Sequence, residues 1–134
     1  MAESLEKFKS YIGKSQTAID VVTASVMLKF AATLGLEKAP LDKGEPVPPG
    51  WHGGFFPPSH RPAQMREDGQ ASGGGFMPAI PLPRRRIGGT RMTFHEPLRV
   101  GDEIKRVTEI ADIQIDDGPG GAMVTILEKN SISS

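Results

Sequence analysis

Two hydrophobic rhythms lie at either end of this chain, with a stretch that has neither between them. From Ala24 to Leu34, the apolar residues Val26, Met27, Leu28, Phe30, Ala31 and Leu34 recur at helical spacing and cover most of the circumference. Lys29 and Thr33 are the main polar interruptions. Thr23 stands where an N-cap belongs and Gly35 where a helix stops, so the pattern predicts a helix from 24 to 34. A helix apolar on nearly every side is expected to be buried on most of them. Ahead of it, EKFKSYIG predicts a short helix or an extended lead-in.

Toward the C-terminus the period falls to two. Met92 and Phe94 alternate with Thr93 and His95, and the spans Ile104 to Ile115 and Ala122 to Glu128 are rich in β-branched residues, which predicts strands. Pro97 with Val100-Gly101-Asp102 marks one turn, and Asp116 to Gly121 another. An antiparallel meander following one apolar helix is most economically a sheet wrapped around that helix, an α+β arrangement.

Between the two rhythms runs a tract with almost no helix-compatible sequence. Nine of the twelve prolines lie between Pro46 and Pro83, and many glycines accompany them. Proline fixes φ and glycine admits positive φ, so the tract specifies an extended, sharply turned path. Trp51, Phe55, Phe56, Phe76, Met77, Ile80 and Leu82 distinguish it from a disordered linker, because they can bury enough surface to offset the cost of ordering. A long ordered loop at about 40–89 within one domain of residues 1–134 is therefore expected, and loops of that length usually serve a function.

Composition narrows the function classes. At 134 residues the chain suffices for one core. Sixteen basic and sixteen acidic side chains cancel, which leaves no global field to attract nucleic acid. The absence of cysteine removes disulfides and thiolate metal sites, and three scattered histidines offer no paired ligand spacing. The N-terminus mixes acids and lysines without an apolar run, so neither export nor membrane insertion is indicated and the cytoplasm is the expected location.

Several strings, taken in order, narrow the reading further: Ile12-Gly13-Lys14, Ala31 to Gly35, Trp51 to Pro58, Gly74 to Arg85, and Phe94 to Asp102. Together they resemble the N-terminal half of MaoC-like double-hotdog hydratases and dehydratases, in the branch with mesaconyl-CoA (3-methylfumaryl-CoA) hydratases and hydroxyacyl-thioester dehydratases. The resemblance spans roughly residues 10 to 128. It implies a hotdog fold and reversible addition of water across an α,β-unsaturated acyl-CoA, with the thioester as substrate and no further cofactor. It also implies that catalysis uses an Asp and a His five positions apart, carried by the C-terminal half. Five residues before His52, His60 and His95 stand Val47, Phe55 and Thr90, so that spacing does not occur here. The expectation is one subunit of a split enzyme or a fragment of a longer one, inactive alone and paired with a second hotdog in a homo- or heterodimer. A different class of role competes with it, a non-catalytic module that binds acyl-CoA or acts as a scaffold.

Candidate site residues follow from residue chemistry within that frame. No catalytic or metal residue is assigned. Arg84 and Arg85, from the run Arg84-Arg85-Arg86, are candidates for coenzyme A phosphates, with Gly88 and Gly89 allowing close backbone approach; a solvated basic face is the alternative. Phe55, Phe56, Phe76 and Met77 are candidates for an acyl-pocket wall, against plain core packing. Trp51 belongs to the same group, more as an anchor for the loop than as a substrate contact. His95 beside Glu96 reads as structural, since neighbours on a strand face opposite ways. Pro78-Ala79-Ile80-Pro81 also fits an adaptor ligand, but its apolar flanks look made for burial.

Overall fold

The computed structural model describes residues 2–134. In chain order these form helix α1 (Ala2–Leu5), a 3-10 turn (Glu6–Tyr11), strand β1 (Ser15–Val21), helix α2 (Ala24–Thr33), 3-10 turns at Trp51–Gly54 and Pro62–Gln64, and strands β2 (Glu103–Gly118) and β3 (Gly121–Ser133). The sheet order is β1-β2-β3. Hydrogen bonds pair Gly13 and Lys14 with Ile110 but Val22 with Gly101 and Asp102, which makes β1 and β2 antiparallel. β2 returns as β3 through Pro119 and Gly120, where Gly121 takes φ 105°. This is an α+β chain, as the pattern predicted.

The lead-in helix, α2 and the last two strands fall where expected. Thr23 accepts a hydrogen bond from the Val26 N–H through its side chain, and Gly35 turns the chain at φ 72°. Two expectations need correction. Residues 92–95 form no strand, because their alternation has no hydrogen-bonded neighbour; the neighbouring residues 98–100 instead bond to 44–47. α2 is buried only at Met27 and Ala31, while Leu28 and Leu34 are more than half exposed, since this chain covers only one side of the helix. β1 was not legible in the sequence: SQTAIDV alternates too weakly to announce a strand.

The residues fall into two compact units. One comprises Met1–Gln16, Ser59–Arg86 and Val107–Ser131, and its fully buried side chains include Leu5, Ile110 and Ile113. In it the buried Thr108 hydroxyl donates to Asn130 Oδ1 at 2.6 Å. The other comprises Thr17–Pro58, Ile87–Arg106 and Ile132–Ser134. Its core joins Met27 and Ala31 of α2 to Val22, Val47, Trp51, Phe55, Phe56, Val100 and Ile104. Ala18 of β1 and Ile132 of β3 pack on that cluster, so α2 lies on residues from all three strands. Among the described residues no helix is long and apolar enough to cross a membrane.

Candidate functional site

The helix-bearing unit contains an open apolar groove of about 310 Å3, lined by Val26, Lys29, Phe30 and Thr33 of α2 and by Gly54. The sequence builds it from two close approaches. The Trp51 ring stacks on Phe30 at 5.2 Å, which draws the WHGG turn onto the helix. At Gly54, a Cβ would stand 2.9 Å from Val26 Cγ1 and 3.2 Å from Phe30 Cδ2, so glycine is what lets the backbone form the wall. Lys29 contributes the groove's cation.

Beyond Gly54, Phe55 and Phe56 turn inward to the core. Phe56 has φ 56°, the one non-glycine positive φ among the described residues, and it precedes Pro57, which disfavours helical conformations there. Two neighbours hold it in place. Asp20 Oδ2 accepts the Phe56 N–H at 2.8 Å while Oδ1 accepts the Val21 N–H. The Arg106 guanidinium lies over the Phe56 ring, 4.9 Å from its centroid.

Arg106 is placed unusually for a cation. On β2, Ile104, Thr108 and Ile110 are buried, and Arg106 falls in the same alternation, on the inward side of the strand. Its Nε is buried without a hydrogen-bond partner, and it takes part in no ion pair among the described residues. Neither Asp20 nor Arg106 emerged from sequence reasoning. The signal for Arg106 was weak, since its alternating register carries Ile104 and Ile110 but also Thr108 and Asp112.

The candidates named from sequence are distributed as follows. Trp51, Phe55 and Phe56 belong to the core of the helix-bearing unit, and Trp51 anchors the loop as expected. Gly88 and Gly89 lie in the same unit, exposed, with open space where a Cβ would stand. Phe76 and Met77 are half-buried in the other unit, where Gly74 N–H donates to Met77 O and Lys14 Nζ donates to Gly75 O at 3.4 Å. That contact joins the IGK and GGF strings. Arg84 and Arg85 belong to that unit too, exposed and in no ion pair among the described residues. Pro78 is buried and Ile80 and Leu82 are half-buried, which is unlike a displayed adaptor ligand.

The remaining strings are structural. In the PLRVGD turn, Gly101 at φ 96° donates to Val22 O, Asp102 O accepts from Val22 N–H, and Asp102 Oδ2 accepts from Arg99 N–H. His52 meets the Phe94 ring edge-on at 5.9 Å. His95 is exposed and lies outside the strands, so the strand-face argument for its structural reading does not apply.

Comparison with known proteins follows the same lines. The family described as the FAS1-like dehydratase domain region matches residues 10–134. Over 119 residues the chain is 35% identical to mesaconyl-C(4)-CoA hydratase from Chloroflexus aurantiacus. The alignment takes in 87% of this chain and 42% of that protein, so the chain spans less than half the length of this curated relative.

Proposed function

Because the chain belongs to the FAS1-like dehydratase domain family, of hotdog type, we propose that it is the non-catalytic half of an acyl-CoA hydratase or dehydratase. The observation that carries this reading is the family match along residues 10–134, reinforced by the likeness to a CoA-thioester hydratase over most of the chain. The reaction is reversible addition of water across an α,β-unsaturated acyl-CoA. Its acid–base pair, a group worth about 10²–10⁴ in rate, comes from a second hotdog domain outside these residues. The relative's greater length supports such a domain, as do the uncovered Leu28 of α2 and Leu34 at its C-cap.

In this division of labour the present chain shapes the substrate site. Ligand pockets span about 300–1,000 Å3, so a groove of about 310 Å3 suits a short acyl chain. Val26 and Phe30 supply its apolar surface, with Trp51, Phe55 and Phe56 packed as its support. In the other unit Arg84 and Arg85, in no ion pair among the described residues, are the candidates for coenzyme A phosphates, and in the helix-bearing unit Gly88 and Gly89 leave the backbone open to approach. Phe76 and Met77 are half-buried apolar candidates within that other unit.

The test is hydration of mesaconyl-CoA and crotonyl-CoA, followed by loss of enoyl-thioester absorbance. The chain is assayed alone and mixed with a hotdog protein that carries the Asp and His five positions apart. Activity only in the mixture is expected. Activity of the chain alone would place the acid–base pair within it. A chain that binds no CoA thioester and leaves its partner's rate unchanged would leave only a scaffold.

A further inference from the structure

β3 is paired on one side only. In the sheet order β1-β2-β3 its single neighbour is β2, and among the described residues none of its backbone groups bonds beyond that ladder. An open edge presents a row of unpaired N–H and C=O groups, which natural sheets blunt with charges, prolines or bulges. β1, at the opposite edge, is short and carries Asp20. On β3 the run Ala122-Met123-Val124-Thr125-Ile126-Leu127 has no charge, no proline and no glycine. Its alternation is regular: Ala122, Val124 and Ile126 are half-buried, whereas Met123, Thr125 and Leu127 are exposed. This whole run and the β2 residues from Val107 onward belong to one unit.

Such a strand is complementary to itself. A twofold axis perpendicular to the sheet sets two β3 edges antiparallel and keeps every side chain on its own face, so exposed residues meet exposed residues. With the axis at Thr125, Met123 stands opposite Leu127 on the exposed face and Val124 opposite Ile126 on the other, and symmetry makes each pair twice. Glu128 then falls opposite Ala122 and Lys129 opposite Gly121, so no charge meets its like. With the axis at Ile126, Glu128 would press on Val124 and Lys129 on Met123, and with the axis at Glu128 two carboxylates would oppose each other. The charges that follow the apolar run therefore select the Thr125 register.

We propose that the outer edge of β3 is an interface for a second copy of this chain, joined antiparallel in the register centred on Thr125. Main-chain hydrogen bonds hold the two edges together, and the Met123–Leu127 and Val124–Ile126 pairs fix their alignment. Each β3 has one open edge, so the contact closes at a dimer. An edge contact is small beside the roughly 1,200–2,000 Å2 of a standard interface, which sets the Kd on the order of micromolar or weaker. The proposal does not depend on the acyl-thioester reading.

The test is sedimentation equilibrium of the full chain, joined to cross-linking. Wild type is expected to show a monomer–dimer equilibrium. Thr125→Lys sets two lysines against each other at the axis and should raise the dimer Kd by about tenfold or more, whereas Ser131→Lys, beyond the paired run, should leave it within about twofold. Circular dichroism checks that both variants keep the wild-type fold. Because the chain holds no cysteine, single-cysteine variants report the register without background. Opposed residues on paired strands have Cβ atoms about 4.5–5.5 Å apart, a gap that a short thiol-reactive linker bridges. Thr125→Cys should cross-link to itself, and Met123→Cys should cross-link to Leu127→Cys in a mixture better than either does alone. A wild-type chain that stays monomeric to ~1 mM overturns the proposal. So does a dimer that Thr125→Lys leaves intact, or one in which Ser131→Cys cross-links as fast as Thr125→Cys, since the contact then lies elsewhere. If the chain is monomeric alone but binds a separate hotdog protein in a manner that Thr125→Lys blocks, the edge belongs to that partner and the second-copy assignment falls.

Discussion

Replacing Asp20 with alanine tests whether a single carboxylate holds the strained Phe56 in place. Asp20 Oδ2 stands 2.8 Å from the Phe56 nitrogen in a part-buried setting. A hydrogen bond to a charged group contributes about 1.5–3 kcal/mol. The left-handed backbone of a phenylalanine costs about 1–3 kcal/mol, so without the carboxylate the two terms no longer offset each other. The second bond, to the Val21 N–H, is solvent-exposed and adds little. A net loss of about 2 kcal/mol is therefore expected. At ~2.1 cal/mol/K per residue the unfolding entropy is about 0.28 kcal/mol/K for 134 residues, and Tm falls by about 7 °C. Asp20→Asn retains a neutral acceptor, worth about 1 kcal/mol, and is expected to lose roughly half as much. Differential scanning calorimetry of the three proteins provides the comparison. A shift below about 2 °C for Asp20→Ala would show that Phe56 keeps its conformation through burial alone, and the proposed role of the carboxylate would be refuted.

Three further outcomes follow from contacts elsewhere in the chain. Gly54→Ala forces a Cβ to within 2.9 Å of Val26 Cγ1 and should cost about 1–3 kcal/mol in urea unfolding, whereas Gly53→Ala, with open space around it, should stay within about 0.5 kcal/mol of wild type. Equal costs for the two would show that the WHGG turn does not press on α2. Thr23→Ala should lose about 0.5–1 kcal/mol, at the lower end for N-caps because the bond to the Val26 N–H is long at 3.4 Å, and Thr23→Ser should recover most of it in the same assay. Arg85→Ala should raise the Kd for coenzyme A by about tenfold or more in a calorimetric titration; an unchanged Kd would assign the run Arg84-Arg85-Arg86 to the solvated surface.

Local chemistry was the legible part of this fold. Thr23 and Gly35 bound α2 because capping and positive φ are properties of single residues. The hairpin between β2 and β3 was readable because its glycines cluster at one point. Trp51 was readable as an anchor because an aromatic of that size in a proline-rich tract has few alternatives to burial. The alternation at 92–95 misled, because a period of two shows that a segment could pair but not that a neighbour is present. β1 escaped notice for the opposite reason, since its pairing with β2 supplies the order that its own sequence lacks.

The sequence by itself determined the caps, the turns, the loop's need for burial and the family resemblance, all of which reside in single residues or short strings. Only the tertiary structure decided which faces of α2 remain open, that Gly54 forms a groove wall, and that Asp20, Phe56 and Arg106 meet. Those three residues are separated by 36 and 50 positions along the chain. Their relation depends on how β1, the loop and β2 pack, and non-local packing leaves no periodic mark in the sequence.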